Sequence, residues 1–327
     1  MHAVVMRAFG PPQVLEFSEV PDLAPGAGEV VVDVEFASVT FVETQVRAGR
    51  PPDPRMLPRL PAVLGNGIGG TVVAAGPGTG GGDRGALPGR RVIASLSGTG
   101  GYAERAIAGA GRLIDVPDEV GLRDAAALLA DGRTAVGLIR RAGLRPGDTV
   151  LVEAAAGGVG SLLVQLARNA GARVVALAGG ERKLAVARDL GADLTVSYTT
   201  PDWAGRVHDL TRGVDVVFDG VGGDIGLAAF GLLRAGGRFV QFGMASGSFA
   251  AVSAELAGER QVSVLTGSPP TPQELNELTR TALSEAAAGR LRPLVGQVFD
   301  LARACDAHAA IEARDTVGKT LLAVPRR

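Results

Sequence analysis

From about residue 122 onward the chain alternates strand patterns with helical ones, and this alternation limits the fold more than any other feature. "LRDAAALLADGRTAVGLIRRAG" (122–143) has helical spacing and leads into the short apolar strand "DTVLVEAA" (148–155). "VGSLLVQLARNAG" (159–171) is helical and stops on glycine, and "RVVALA" (173–178) is a strand again. The pattern continues through "ERKLAVARDLGA" (helix), "LTVSY" and "VDVVFDGVG" (strands), "IGLAAFGLLRAGG" (helix), then "RFVQFG" and "QVSVLTG" (strands). Strands linked by helices require right-handed crossovers, which predicts a parallel, doubly wound α/β sheet of Rossmann type.

The first 120 residues read differently. "HAVVMRAF", "VLEFSEV", "EVVVDVEFASV", "GGTVVAAG" and "RRVIASL" are short β-rich runs separated by Pro/Gly turns, the pattern of a compact β domain. The Gly-rich tract at 76–89 is read as a loop, because no helix follows to receive a phosphate. After Pro272 come two helical patterns and a terminal strand, "GKTLLAV", too little for a third domain. The expected division is 1–122, then 123–266 for the Rossmann domain, then 267–327 returning to the first domain. A chain of 327 residues with 46% hydrophobic residues has enough apolar material for both cores.

Charge and cysteine content narrow the function. A net charge of −1 without Lys/Arg clusters argues against nucleic acid or an anionic membrane as partner. No apolar run reaches the roughly 18 to 20 residues of a spanning helix, and the first residues lack signal-peptide regions, so a cytoplasmic protein is expected. Cys305 is the single cysteine, and His2, His208 and His308 are far apart, so no zinc site of Cys and His ligands is expected. Cys305 and His308 lie in a helical pattern and are read as packing residues.

The turn between the first Rossmann strand and its helix carries the chemistry. A small residue there allows the tight turn, a second lets backbone approach a pyrophosphate, and a third lets helix pack on strand. These are Ala155, Gly157 and Gly160, with Gly158 and Val159 between, and the pyrophosphate would lie on the helix N-terminus. NAD calls for a carboxylate at the end of the second strand, whereas NADP calls for positive charge and room. Ala178 and Gly179 offer no carboxylate, and Arg182 and Lys183 follow at once, so NADPH is favoured. Glu181 is the counter-signal, read instead as a first-turn residue stabilised by the helix dipole.

With "ASVTFVETQVRAG", "GTGGYAER", "DEVGLRDAAALLADGRTAVGLI", "VLVEAAAGGVG", "DVVFDGVGG", "GGRFVQFGMASG" and "GRLRPLVGQVFDLARACDAHAAIEARDTVGKTLL" in place, the chain resembles the zinc-independent, zeta-crystallin-like quinone oxidoreductases of the medium-chain dehydrogenase/reductase superfamily. The resemblance runs from end to end. It implies a GroES-like catalytic domain split around the Rossmann domain, a cleft active site and a homodimer, for which "QVSVLTG" is a plausible edge. It places nicotinamide neighbours at Thr134, at Val221, Gly222 and Gly223, and at the Phe242 and Gly243 backbone. It places 2′-phosphate contacts at Lys183, Tyr198 and Arg314, while Lys319 is read as a surface charge, with an approach to the phosphate as the alternative.

Several positions depart from the family pattern. Thr40 stands where Asn is common near the nicotinamide ribose, and Met244 replaces the usual Asn of "FGNASG". Asn66 and Gly67 occupy the segment where zinc-dependent relatives place His followed by Glu, and a tyrosine often found near the substrate entrance is missing from "RAGRPPDP". The implied reaction is hydride transfer from NADPH to a quinone or an α,β-unsaturated carbonyl, with Thr134 or Thr40 meeting the developing oxyanion and water supplying the proton. An enoyl-thioester reductase is an alternative, with Arg47, Arg50, Arg55 and Arg59 as a basic entrance. A non-catalytic NADPH-binding or redox-sensing protein is another.

Overall fold

The computed structural model describes residues 1–79, 87–266 and 270–325. Parts of the Gly-rich tract and of the loop at 267–272 thus lie outside the described residues. The chain divides into two compact units: Met1–Ala130 with Thr279–Ala288 and Pro293–Arg327, and Asp131–Leu278 with Gly289–Arg292.

In chain order the first unit begins with β1 (His2–Met6), β2 (Leu15–Glu19), β3 (Glu29–Val39), α1 (Phe41–Arg47), β4 (Ala62–Val63), β5 (Gly67–Ala75), β6 (Arg91–Ser95), β7 (Arg105–Gly109) and β8 (Ile114–Asp115). Then α2 (Leu122–Ala142) leads into β9 (Thr149–Val152), α3 (Gly158–Asn169), β10 (Arg173–Ala178), α4 (Glu181–Asp189), β11 (Leu194–Ser197), α5 (Trp203–Thr211) and β12 (Val214–Asp219). The chain continues with α6 (Gly223–Phe230), β13 (Leu233–Gln241), α7 (Ala254–Glu259), β14 (Ser263–Val264), α8 (Pro272–Ala287), β15 (Val295–Asp300), α9 (Ala304–Glu312) and β16 (Lys319–Ala323).

In the second unit the sheet order is β11-β10-β9-β12-β13-β14, all parallel, with β14 at one edge. Counted within the unit this is 3-2-1-4-5-6, the doubly wound order whose switch point lies between β9 and β12. The central strands read "TVLV" and "VDVVFD" because helices cover both faces, so alternation gives way to continuous apolar residues. Leu151, Val217, Phe218 and Phe239 are fully buried, and Phe230 meets Phe239 edge-on at 5.4 Å. Each such side chain contributes about 1.5–3 kcal/mol by burial.

In the first unit β3 is the hub, pairing with β5, β7 and β16. The larger sheet runs β15-β16-β3-β5-β6-β8, and a smaller one runs β2-β1-β4. The strands β15 and β16 belong to the first unit, where β16 pairs antiparallel with β3.

Three expectations need correction. The first domain boundary falls at 130/131 rather than 122/123, because α2 is one 21-residue helix serving both cores. Its first half buries Ala126 against Gly69, while Gly137 in its second half lies against Leu278. The first half of α8 correspondingly belongs to the second unit, so the division at 266/267 also moves. The helix expected over 225–237 ends at Phe230, and Leu233 instead opens β13 beside Val214. Gly236, at φ +78°, is incompatible with a continuing helix. Finally, "VGQVFD" was not recognised as a strand, although it forms β15 with every second residue half-buried.

Candidate functional site

The turn after β9 leads into a helix N-terminus that no side chain caps. Ala154 adopts φ +46°, and the Ala155 N–H donates to Leu177 O at 2.9 Å, tying the turn to β10. Gly157 precedes α3 with no side-chain cap, and the first turn of α3 carries no acidic residue. The N–H groups of Gly158, Val159 and Gly160 therefore begin a helix whose positive end no side chain cap or acid offsets. At Gly160 a Cβ would lie 2.2 Å from Ala154 O, so only glycine permits this approach of helix to turn.

The ends of β10 and β11 form the second element. Ala178 is buried and, as expected, there is no carboxylate at the strand end. The Tyr198 ring lies over Gly179, within 3.4 Å of where a Cβ would stand, and α4 starts at Gly180 without a side-chain cap. Arg182 is exposed and Lys183 half-buried in its first turn. Glu181 stands in the first turn of α4 and forms an ion pair with Arg188. Gly179, Tyr198 and the start of α4 are thus brought together. Arg314 belongs to the first unit, where it is exposed after α9 at φ +59°.

The ends of β12 and β13 form the third. The Val221 N–H donates to Glu153 Oε2 at 3.0 Å and the Gly222 N–H to Asp219 Oδ1 at 2.7 Å. Phe242 and Gly243 both donate their N–H groups to Asp219 O, which leaves their carbonyls as the backbone groups to present. Thr134, Gln241 and Phe242 line one cavity of about 580 Å³ together with Arg133 from α2. Burial holds the Arg133 guanidinium below its usual range, and Asp131 opposes that shift.

In the first unit Thr40 is a helix cap. Its Oγ1 accepts from the Glu43 N–H at 3.3 Å and donates to Glu43 Oε2 at 3.0 Å, while its own N–H donates to the same oxygen at 2.6 Å. The hydroxyl proposed for an oxyanion is therefore already engaged in a capping box. Glu43 is buried, and its Oε1 also accepts from the Asn66 N–H at 2.8 Å. Burial raises the Glu43 carboxyl above its ordinary value, opposed by the Asn66 and Thr40 N–H groups and by Lys319. Lys319 is buried rather than a surface charge, because β16 lies within the sheet. Arg47 likewise leaves the expected basic loop: it is buried in α1 and paired with Glu312. Arg50, Arg55 and Arg59 remain exposed.

Residues 26–118 match the model of the alcohol dehydrogenase GroES-like domain, and residues 158–283 that of the zinc-binding dehydrogenases. The chain is 33% identical to the 2-haloacrylate reductase of a Burkholderia species over 331 residues, covering 98% of each. It is 32% identical to the quinone oxidoreductase of Pseudomonas aeruginosa, again over 98% of each. The structure of Escherichia coli quinone oxidoreductase complexed with NADPH superposes with a TM-score of 0.88 at 29% identity, covering 99% of this chain and 100% of that one. The chain belongs to the quinone oxidoreductase family of the medium-chain dehydrogenase/reductase superfamily.

For this quinone oxidoreductase family member the zinc of the matching domain model does not fit the side chains present. Among the described residues no three His, Cys, Asp or Glu side chains are placed to hold a metal ion. Asn66 Oδ1 instead accepts from the Gly98 N–H at 2.8 Å, and Gly67 carries no side chain that could ligate a metal or support a ligand. A dinucleotide does fit, on the uncapped α3 terminus and the close glycine approach beneath it.

Sequence reasoning missed two buried polar clusters. In one, the Tyr102 hydroxyl lies 3.3 Å from Glu43 Oε2 and 3.0 Å from His308 Nε2. Burial, with Arg47 nearby, pushes His308 down to about 3, so the ring is neutral and packs as expected. Cys305 is half-buried against the same core. The other cluster is Glu153, directly after β9, with Asp219, the last residue of β12. That was a readable signal once β9 and β12 are known to be neighbours.

Proposed function

We propose that the chain is an NADPH-dependent oxidoreductase whose acceptor is a quinone or an α,β-unsaturated carbonyl compound. The observation that carries this reading is the end of β10, where Ala178 and Gly179 offer no carboxylate to receive a ribose 2′-hydroxyl, the Tyr198 ring packs on Gly179, and Lys183 follows in the first turn of α4. The Escherichia coli relative solved with NADPH supports the same cofactor. When bound, NADPH supplies the hydride.

The protein's part is binding and orientation. The α3 N-terminus meets the pyrophosphate, and Lys183, Arg182 and Tyr198 meet the 2′-phosphate by charge-assisted hydrogen bonds. The Val221–Gly222 turn and the Phe242 and Gly243 carbonyls place the nicotinamide. Thr134 offers a hydroxyl in the same cavity as Phe242, where charge develops on the acceptor oxygen, and water returns the proton.

NADPH oxidation measured with a benzoquinone, a simple enone, a 2-haloacrylate and an enoyl-CoA tests the reading. Turnover of the first two, with NADH at least about tenfold poorer in kcat/KM, is expected. NADPH bound without turnover of any acceptor overturns catalysis and favours a binding or sensing protein. A second reading, a carboxylate-bearing acceptor, is favoured by Arg133 beside Thr134 in the cavity and by the 2-haloacrylate reductase relative. Preference for the haloacrylate over the enone, lost in Arg133→Leu, is its signature.

A further inference from the structure

Glu153 directly follows β9 and Asp219 ends β12, at the switch point of the sheet. Both are fully buried. The Glu153 N–H donates to Phe218 O at 3.1 Å, continuing the parallel register in which Phe218 pairs with Val152, so that Glu153 stands opposite Asp219. Each also grips one N–H of the same turn, Val221 on Glu153 and Gly222 on Asp219.

The donors do not suffice for two carboxylates. Glu153 Oε1 is buried and accepts from no N–H or O–H group. An ionised oxygen left so carries its full desolvation cost, and a second negative charge beside it adds repulsion. One proton on Glu153, donated to Asp219, removes both problems, as in other carboxyl pairs that cannot ionise together. Burial first, and then the charge of Asp219, push the Glu153 carboxyl well above its ordinary value, against the N–H groups of Val221 and Gly220. Among the described residues the charge acting on Glu153 is that of Asp219; β13 adds the Gln241 amide, 3.4 Å from Asp219 Oδ2, and α6 adds Gly226.

We infer that Glu153 is a positioning residue, a neutral acid that donates to Asp219 and thereby fixes the turn at 220–222 on which the nicotinamide is placed. The inference rests on the proposed cofactor reading for the nicotinamide, while the shared proton stands on the apoprotein alone.

The full-length protein is compared with Glu153→Gln, whose amide can donate to Asp219 and accept from Val221, and with Glu153→Leu, which can do neither. Glu153→Asp, too short to reach both partners, replaces the leucine variant if that fails to fold. At neutral pH the infrared band of a protonated carboxyl is expected in the wild type and lost in Glu153→Gln. A carboxyl raised in the folded state adds stability that is full below its unfolded value and lost as pH rises. The unfolding constant of the wild type relative to Glu153→Gln should therefore climb by up to about tenfold per pH unit above pH 4.5. NADPH should bind Glu153→Gln like the wild type, and bind Glu153→Leu or Glu153→Asp about tenfold more weakly.

A missing band with a pH-independent stability difference overturns the shared proton. Wild-type NADPH affinity in the leucine or aspartate variant overturns the positioning role. If band and pH slope are present but no form binds NADPH, the cofactor reading falls with the positioning role and the proton pair remains.

Discussion

Gly160 approaches Ala154 so closely that a Cβ on it would stand 2.2 Å from the Ala154 carbonyl oxygen. The contact involves backbone on both sides, so no rotamer change relieves it. Gly160→Ala should cost about 1–3 kcal/mol of stability, the range of overpacking in a filled site. It should also weaken NADPH binding by at least about tenfold. Thermal unfolding and fluorescence titration read the two effects, and unchanged affinity would show that this turn does not hold the pyrophosphate.

Lys183 and Ala178 sit at the start of α4 and the end of β10, where the 2′ substituent of the cofactor is expected. Lys183→Ala should raise KM for NADPH by about tenfold, the loss of one charge-assisted hydrogen bond, and barely alter KM for NADH. Adding Ala178→Asp should turn the preference toward NADH. A constant NADPH/NADH ratio across these variants would place the 2′-phosphate elsewhere.

Thr40 and Thr134 should separate cleanly. Thr40→Ala removes a capping box and should cost about 0.5–2 kcal/mol, with kcat/KM of the folded enzyme retained. Thr134→Val should lower kcat by about 100-fold with NADPH affinity unchanged, and Thr134→Ser should recover most of it. Steady-state kinetics beside denaturant unfolding decide the matter, and a kinetic defect in Thr40→Ala would restore that hydroxyl to the chemistry.

His308 gives a pH signature in the first unit. Its folded value of about 3 lies below the ordinary 6.5, so the unfolded chain takes up the proton first as pH falls. Stability from His308 is then present above 6.5 and lost progressively down to about 3, at up to about 1.4 kcal/mol per pH unit. His308→Gln should unfold less steeply than the wild type across that window. Parallel acid-unfolding curves would mean that the ring reaches solvent.

Much of the second unit was legible because its signals are local. A strand buried on both faces has to be apolar throughout, a glycine-rich turn has to precede the helix, and the missing acid at Ala178 is a property of one position. The failures were equally physical. "IGLAAFGLLRAGG" has helical composition, but Leu233 is drawn into a sheet by Val214, a partner 19 positions away. Arg47 and Lys319 carry charges that sequence alone assigns to solvent, yet an ion pair with Glu312 and a place in β16 beside Glu43 hold them inside.

By itself the sequence determined the alternation of strands and helices in the second unit, the uncapped glycine turn and the charge at the ribose end, since each depends on neighbours along the chain. Tertiary structure decided which distant polar groups meet: Glu43 with Asn66, Tyr102 with His308, Glu153 with Asp219. Those pairings bring together residues from separate segments of the chain. The cost of burying an unpaired polar atom then determines where each proton resides.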